Sequence, residues 1–404
     1  MKRQTFVSAL GASVFLLSLW CCAGADRSAA RAGAPARDSA GITIVDYGES
    51  SPKPSEWHLE QVGALRADTG DSVPLYRIRG LVTFPSGRTA VANGGSSEIL
   101  WFDRNDRLIR ASGREGEGPG EFRDLVGIHR LYPDSLLAYD AQLMRYQVFD
   151  SAGRFVREFH LGRPGEAPSN PEVLATTDQG GLIVRSLRSY DNAPQGVSRL
   201  GFDIRLYDRD GHYVAPVTSA AGWEVYKPAS VNRVMFEPMA IPWGHNTELA
   251  ATPRAVILAD NYTGEIKKLG LKGVLERIFR PPPTNRAHVT NHEKEAAKQK
   301  LLANAPPPAA AMFRAAYADM PLPSQKSLIE DICATEDGGL WLIETSTMDS
   351  APRRAVVLDP DLRIAGTLSL PNQLGIRVIT HDYILGIWTD ELGVEQVRRF
   401  RIVR

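Results

Sequence analysis

The chain has 404 residues, 47 of them basic and 47 acidic, so its formal net charge is zero. That balance excludes the strong basic field of a nucleic-acid binder or of a protein held on an anionic membrane by charge. An apolar content of 43%, with 35 glycines and 27 prolines, fits a globular protein with a sizeable core and many turns.

The opening segment, MKRQTFVSALGASVFLLSLWCCAGADRSAA, sets Lys2 and Arg3 before an apolar run from Phe6 to Trp20. A charged start followed by a short apolar stretch is the pattern of an export leader. The run falls short of the ~20 residues of a membrane span. Two processing routes are open over residues 1–25. Ala23-Gly24-Ala25 offers a small-x-small cleavage site that leaves Asp26 first. Alternatively Cys22 or Cys21 takes a lipid, with Leu19 well placed but Trp20 and Cys21 poor matches to that signal. The paired cysteines tilt the reading towards the lipid anchor. Residues 26–41, DRSAARAGAPARDSAG, lack an apolar period and read as a flexible tether. Cys333 is the remaining cysteine, so an internal disulfide is excluded. In LIEDICATEDGG it reads as a small buried hydrophobe.

From residue 42 to 404 the chain repeats. Short strands introduced by turn residues recur as FPSGRTAVA (84–92), YPDSLLAYD (132–140), TDQGGLIVR (177–185), TPRAVILAD (252–260), TEDGGLWLI (335–343) and THDYILGIW (380–388). Each is followed by a hairpin pattern, as in ILWFDRNDRLIR (99–110) and YQVFDSAGRFVREF (146–159), in which a turn of the Asp-x-x-Gly kind separates apolar runs. The first-strand motifs start 48, 45, 75, 83 and 45 residues apart. About 45 residues suits one four-stranded propeller blade. The long intervals hold an irregular loop region at 215–246 and a helical insert at about 286–320, where Thr290 and Glu293 are spaced as a capping box. The last unit, VRRFRIVR (397–404), stops after its third strand. Either GITIVDY (41–47) or WHLEQV (57–62) supplies the missing one. The expected fold is all-β: a six-bladed β-propeller closed by an N-terminal strand, with a small helical insert between blades four and five.

GREGEGPGEF (113–122) invites a phosphate-loop reading, but its glycines alternate, its flanks are strands, and Glu115 and Glu117 would repel phosphate. It reads instead as a joint between blades, with glycines at positive φ. This loop and the strand pair after it resemble an NHL-type repeat. The wider layout, with a leader, a DSAG strand and a VT…E insert before DGGLW, resembles exported bacterial six-bladed β-propeller proteins related to NHL-repeat proteins. The resemblance covers roughly 41–404, and only the second unit matches it well. It implies fold and export but no reaction.

Other chemistry is thinly represented. His288 and His292 lack a zinc ligand set, and His58, His129 and His381 read as surface or packed strand residues. GGSSE (94–98) has no base in sequence reach, and the acidic LIED (328–331) and WTDELGVE (388–395) read as solvated loops. Position is more informative. Aligned inner-strand starts place Arg79, Gly127, Glu172, Thr247, Glu330 and Gly375 in one ring, with Glu248 and Arg377 one and two residues beyond it. The ends of the second strands bring Asn93, Asp140, Arg185, Asp260, Glu344 and Asp390 nearby. Converging charges of both signs suit a small polar ligand or a cation. Against this, such Asp side chains commonly bond their own loops.

These features favour a non-catalytic module that binds a ligand or protein, or acts as a scaffold, on the periplasmic or cell-surface side. The expected state is a monomer without cofactor, with no nucleic-acid partner and no membrane contact beyond a lipid anchor. The alternative is a calcium-dependent lactonase-like hydrolase that uses the central carboxylates, by analogy with gluconolactonase-type propellers. A third reading makes Met312, Phe313 and Tyr317 of the insert a docking face.

Overall fold

A computed structural model describes residues 36–48, 53–65, 74–132, 134–162, 168–188, 193–228, 239–303, 310–346 and 352–404. The leader, with Cys21 and Cys22, and most of the tether lie outside the described residues. The chain enters with β1 (Ala36–Ser39), β2 (Ile42–Asp46) and β3 (Ser55–Ala64). Antiparallel sheets follow in order. The first holds β4 (Ile78–Thr83), β5 (Thr89–Asn93), β6 (Glu98–Phe102) and β7 (Leu108–Ser112). The second holds β8 (Leu125–Leu131), β9 (Ser135–Asp140), β10 (Arg145–Phe149) and β11 (Phe155–Phe159). The third holds β12 (Glu172–Thr176), β13 (Leu182–Leu187), β14 (Gly196–Tyr207), β15 (Tyr213–Lys227) and β16 (Met239–Ala240).

The fourth unit is β17 (Thr247–Thr252), β18 (Ala255–Asp260), β19 (Ile266–Gly270) and β20 (Leu275–Arg280), to which β2 adds in parallel and β1 beyond it. Helices α1 (Asn291–Ala303) and α2 (Ala310–Ala318) come next. Then follow β21 (Ile329–Ala334), β22 (Leu340–Glu344), β23 (Arg353–Leu358) and β24 (Ile364–Leu370), and finally β25 (Leu374–Ile379), β26 (Tyr383–Thr389) and β27 (Glu395–Val403). Strand β3 joins these last two groups. It pairs antiparallel with β27 and, over Ser55 to Trp57, parallel with β24. WHLEQV therefore sits beside the last strand. GITIVDY does not; its β-branched residues lie along β20, where Val45 is fully buried.

The hairpins share a mechanism that the turn sequences announce. In the third-to-fourth-strand turns, Asp103, Asp150, Asp208 and Asp359 each accept the backbone N–H groups two and four residues on, at 2.8 to 3.0 Å. The third residue after the Asp must then take positive φ. Gly153 (75°) and Gly211 (85°) do so without cost, whereas Asp106 (62°) and Leu362 (59°) accept it despite a Cβ. Leu362 is 1% exposed inside the core, so burial offsets that strain.

One expected loop is a strand. Residues 215–227, read as irregular, continue β15 in a long hairpin with β14. Pro216 and Gly222 gave that stretch its loop-like character. They lie at register shifts, and Gly222 lets the Leu200 carbonyl and Phe202 approach closely.

The core is divided into wedges between successive units. Trp101, Phe122 and Phe149 fill the wedge between the first two sheets. Tyr146, Phe159 and Tyr207 fill the next. Further clusters join β13 to β18, β18 to β22, and β22 to β26, and a last one joins β26 and β27 to β5 and β6. The first strands also touch in order, β4 to β8, β8 to β12, β12 to β17, β17 to β21, β21 to β25, and β25 back to β4. They surround one cavity of about 440 Å³. This arrangement of twisted sheets around an axis is propeller-like.

Trp57 of β3 is 8% exposed and packs with Trp341, Phe400 and Leu368. It lies so close over Gly366 that a Cβ there would meet the indole at 2.5 Å. Trp57→Ala is therefore expected to destabilise the domain by about 3–5 kcal/mol, measured as a lowered denaturation midpoint. A loss below about 1 kcal/mol would show that β3 contributes little.

Candidate functional site

The first strands carry a recurrent irregularity at the axis. In β4, β8, β12, β21 and β25 the pairing slips past one residue, respectively Arg79, Val126, Leu174, Glu330 and Arg377. Strand β17 pairs without a slip. A bulge re-aims side chains and bends the strand locally. Arg79, Glu330 and Arg377 are thus extra residues of their strands, and all three are exposed.

Around them lies a cluster of charge. Burial pushes the Glu248 carboxyl up to about 7; Asn246 opposes this by donating to Oε1 at 2.6 Å, while the charges of Asp331 and Glu330 add to it and Arg185 subtracts. Asp331 is also raised: its residue is exposed as a whole, but its carboxyl is partly desolvated, with the Ile332 N–H, Arg377 and Arg353 opposing. Cys333, one alternation further along β21, is pushed up to about 12 by burial and by Asp331. His129 on β8 is held down to about 4 by burial and stays neutral near pH 7. Arg185 pairs with Glu172 and lies 5.3 Å from the Trp223 ring centroid. Carboxylates from β17 and β21 therefore lie within electrostatic reach of guanidinium groups from β13, β23 and β25. Arg377 lines both the axial cavity and a second hollow of about 460 Å³ beside Arg353, Gln373 and Thr389.

The other positions expected at the mouth have different surroundings. Asn93 is fully buried; its Oδ1 accepts from Tyr76 N at 3.0 Å and its Nδ2 donates to the Pro74 carbonyl at 3.0 Å. Asp140, also fully buried, accepts from the backbone of Arg123, Asp124 and Leu143. Asp260 accepts from Thr263 and binds His245 Nε2 at 2.6 Å. Asp390 accepts from Leu392 and Val394 N–H groups in a turn. Glu344 pairs with Arg354, and Thr247 donates to the Ala221 carbonyl at 2.7 Å. Gly127 and Gly375 lie on β8 and β25 and bring no side chain.

Asp331, Arg353 and His129 were not in the expected ring. LIED, read as a solvated loop, runs into β21, where the pairing slips past Glu330 and changes the phase of its acids. Strand register, invisible in one sequence, decides this. Among the described residues no group of three or more His, Cys, Asp or Glu side chains converges to hold a metal ion. GREGEGPGEF binds its own protein: Glu121 takes Gly118 N at 2.8 Å and Arg114 Nε at 2.7 Å, and the buried Arg145 and Gln147 donate to the Glu121 carbonyl.

No protein-family model matches the chain, and no curated protein matches it in sequence. Among solved structures it is similar to a Bacteroides fragilis protein described as a candidate exported protein, at 12% identity and a TM-score of 0.51, over 90% of this chain and all of that one. It is also similar to a member of the DUF4221 family from Bacteroides vulgatus, at 13% identity and a TM-score of 0.49, over 87% and 99%. A third likeness is to virginiamycin B lyase from Staphylococcus aureus, at 10% identity and a TM-score of 0.40, over 85% and 99%. At such identities the first likeness bears on the fold alone.

The Glu248 shift has a consequence for stability. Its folded carboxyl titrates at about 7 against an ordinary 4.5, so the native state holds the extra proton between those values. The group's contribution to stability then falls as pH rises through that window. Glu248→Gln removes this loss. The variant's melting temperature relative to wild type is expected to rise from about pH 5 to about pH 8; a constant difference would show that Glu248 titrates normally.

Proposed function

We propose that the protein is an exported six-bladed β-propeller, a non-catalytic module that binds a small polar ligand or a protein at its axial mouth on the periplasmic or cell-surface side. The blade count is supported by the cyclic contact of the first strands. In this reading β3 closes the ring as the fourth strand of the last blade, and the two helices form an insert between blades four and five. The observation that carries the binding role is the electrostatic coupling of Glu248 and Asp331 with Arg185, Arg353 and Arg377 beside the first strands that surround the axial cavity. Asp140, Asp260 and Asp390 are engaged with their own loops and Glu172 and Glu344 with arginines, which leaves the calcium-dependent hydrolase reading without an observation in its favour. Export rests on the leader pattern, with anchoring through Cys22 or Cys21 or cleavage after Ala25.

The reading is tested by thermal melts against millimolar panels of amino acids, organic acids, polyamines and sugars. A ligand at about 100 times its Kd adds about 2.7 kcal/mol, and the resulting shift should disappear in Arg377→Ala or Glu248→Gln. Turnover of lactones or esters that depends on Glu248 would overturn the non-catalytic reading. Mass spectrometry of the mature N-terminus should find Asp26 or a lipidated cysteine; an intact Met1 would overturn export.

A further inference from the structure

A further cavity, of about 240 Å³, lies away from the axis between β20 and the β22–β24 face, under the chain that leads into and out of the helical segment. Its walls include Pro281, Leu328, Val356 and Ile364, over a floor of Phe279 and Leu342. Sheets that radiate from an axis diverge outwards, so the wedge between neighbours needs bulky side chains to reach interior packing density. Elsewhere indole and phenyl rings fill it, as Trp101, Phe122 and Phe149 do. Here the positions on the two walls carry Gly264, Leu328 and Val356, which are too small. The hollow exceeds the roughly 150 Å³ cavity that accepts benzene in an engineered protein interior.

The polar rim carries three cations. Two of them are neutralised: Lys326, 3% exposed, pairs with Glu293, and Arg354 pairs with Glu344. Arg286 has neutral partners, donating to Gln325 Oε1 at 2.8 Å and lying 4.4 Å from the Tyr262 ring centroid. Its guanidinium is held in place and keeps its charge for an incoming anion.

We infer that this cavity binds a small amphiphilic monoanion, with an apolar ring or short chain inserted between the two sheets and a carboxylate or similar group on Arg286. The site is separate from the axial mouth and does not depend on the role proposed for it. The probe is 1-naphthoate, compared with its neutral counterpart 1-naphthamide, by calorimetric titration into the whole exported domain. Saturable binding at one site is expected, with naphthoate at least about tenfold tighter than the amide. Arg286→Gln should bring naphthoate down to the amide's affinity. Leu328→Trp, which fills the cavity, should abolish binding of both without lowering the melting temperature; Val356→Phe serves if that variant does not fold. Equal affinities for the two probes that Arg286→Gln leaves unchanged would overturn the anion site. Binding that survives both filling variants, or no saturable binding to wild type, would overturn the cavity as a site.

Discussion

The antiparallel pairing of β3 with β27 is the contact on which the rest of the domain rests. Strand β27 alone would leave a row of unpaired backbone groups beside β24, and such an edge invites aggregation. Segment 55–64 covers it with hydrogen bonds to one side and, through Ser55 to Trp57, reaches the outer strand of the preceding unit. Contacts across the molecule then follow: Asp106 of the first sheet pairs with Arg399 of β27, and Ile78 N donates to Glu395 Oε2 at 2.8 Å. Because residues hundreds of positions apart are joined, folding must close a long loop before these contacts reward it.

The repeat was legible because its chemistry is local. An Asp whose carboxylate collects N–H groups two and four residues on leaves a trace in four or five consecutive letters, as in FDSAG or YDRDG. The trace survives where the glycine is lost, since Asp106 and Leu362 hold the same turn. The start of α1 was legible for the same reason: Thr290 N donates to Glu293 Oε2 at 2.8 Å and Glu293 N donates back to Thr290 Oγ1 at 3.2 Å. The identity of the strand beside β27 was not local. GITIVDY is the more β-branched candidate, yet its apolar face suits the parallel site on β20. Nothing within either segment distinguishes those two destinations.

The axial site was legible in position more than in residues. Counting from turn motifs locates the strand ends to within one or two residues, but a β-strand reverses its faces at every step. The slips at Arg79, Glu330 and Arg377 change the phase in some units and not in β17. The same count therefore puts Thr247 in the ring, with Glu248 only beside it, and passes over Asp331. Side chains at the ends of the second strands were easier to misread. Asn93, Asp140 and Asp260 have the composition of a ligand ring, but each meets backbone N–H groups or side chains of the adjoining loop first. A buried carboxylate with three backbone donors, as Asp140 has, is already satisfied.

This division of labour says something about where binding chemistry can persist in such a fold. Hydrogen bonds favour the charged form of carboxylates that hold loops together; Asp260 is lowered by Thr263 and His245 despite its burial. Glu248 accepts from Asn246 and Asp331 from Ile332 N, but desolvation outweighs these bonds and both are raised. The shift of Glu248 to about 7 weakens the native state as pH rises through neutrality, and the wedge cores carry the stability elsewhere. A group that destabilises the free protein is one that an incoming partner can stabilise, since the binding free energy then includes relief of that cost. The axial acids therefore differ from the loop acids in kind, though both are Asp and Glu close to the same mouth.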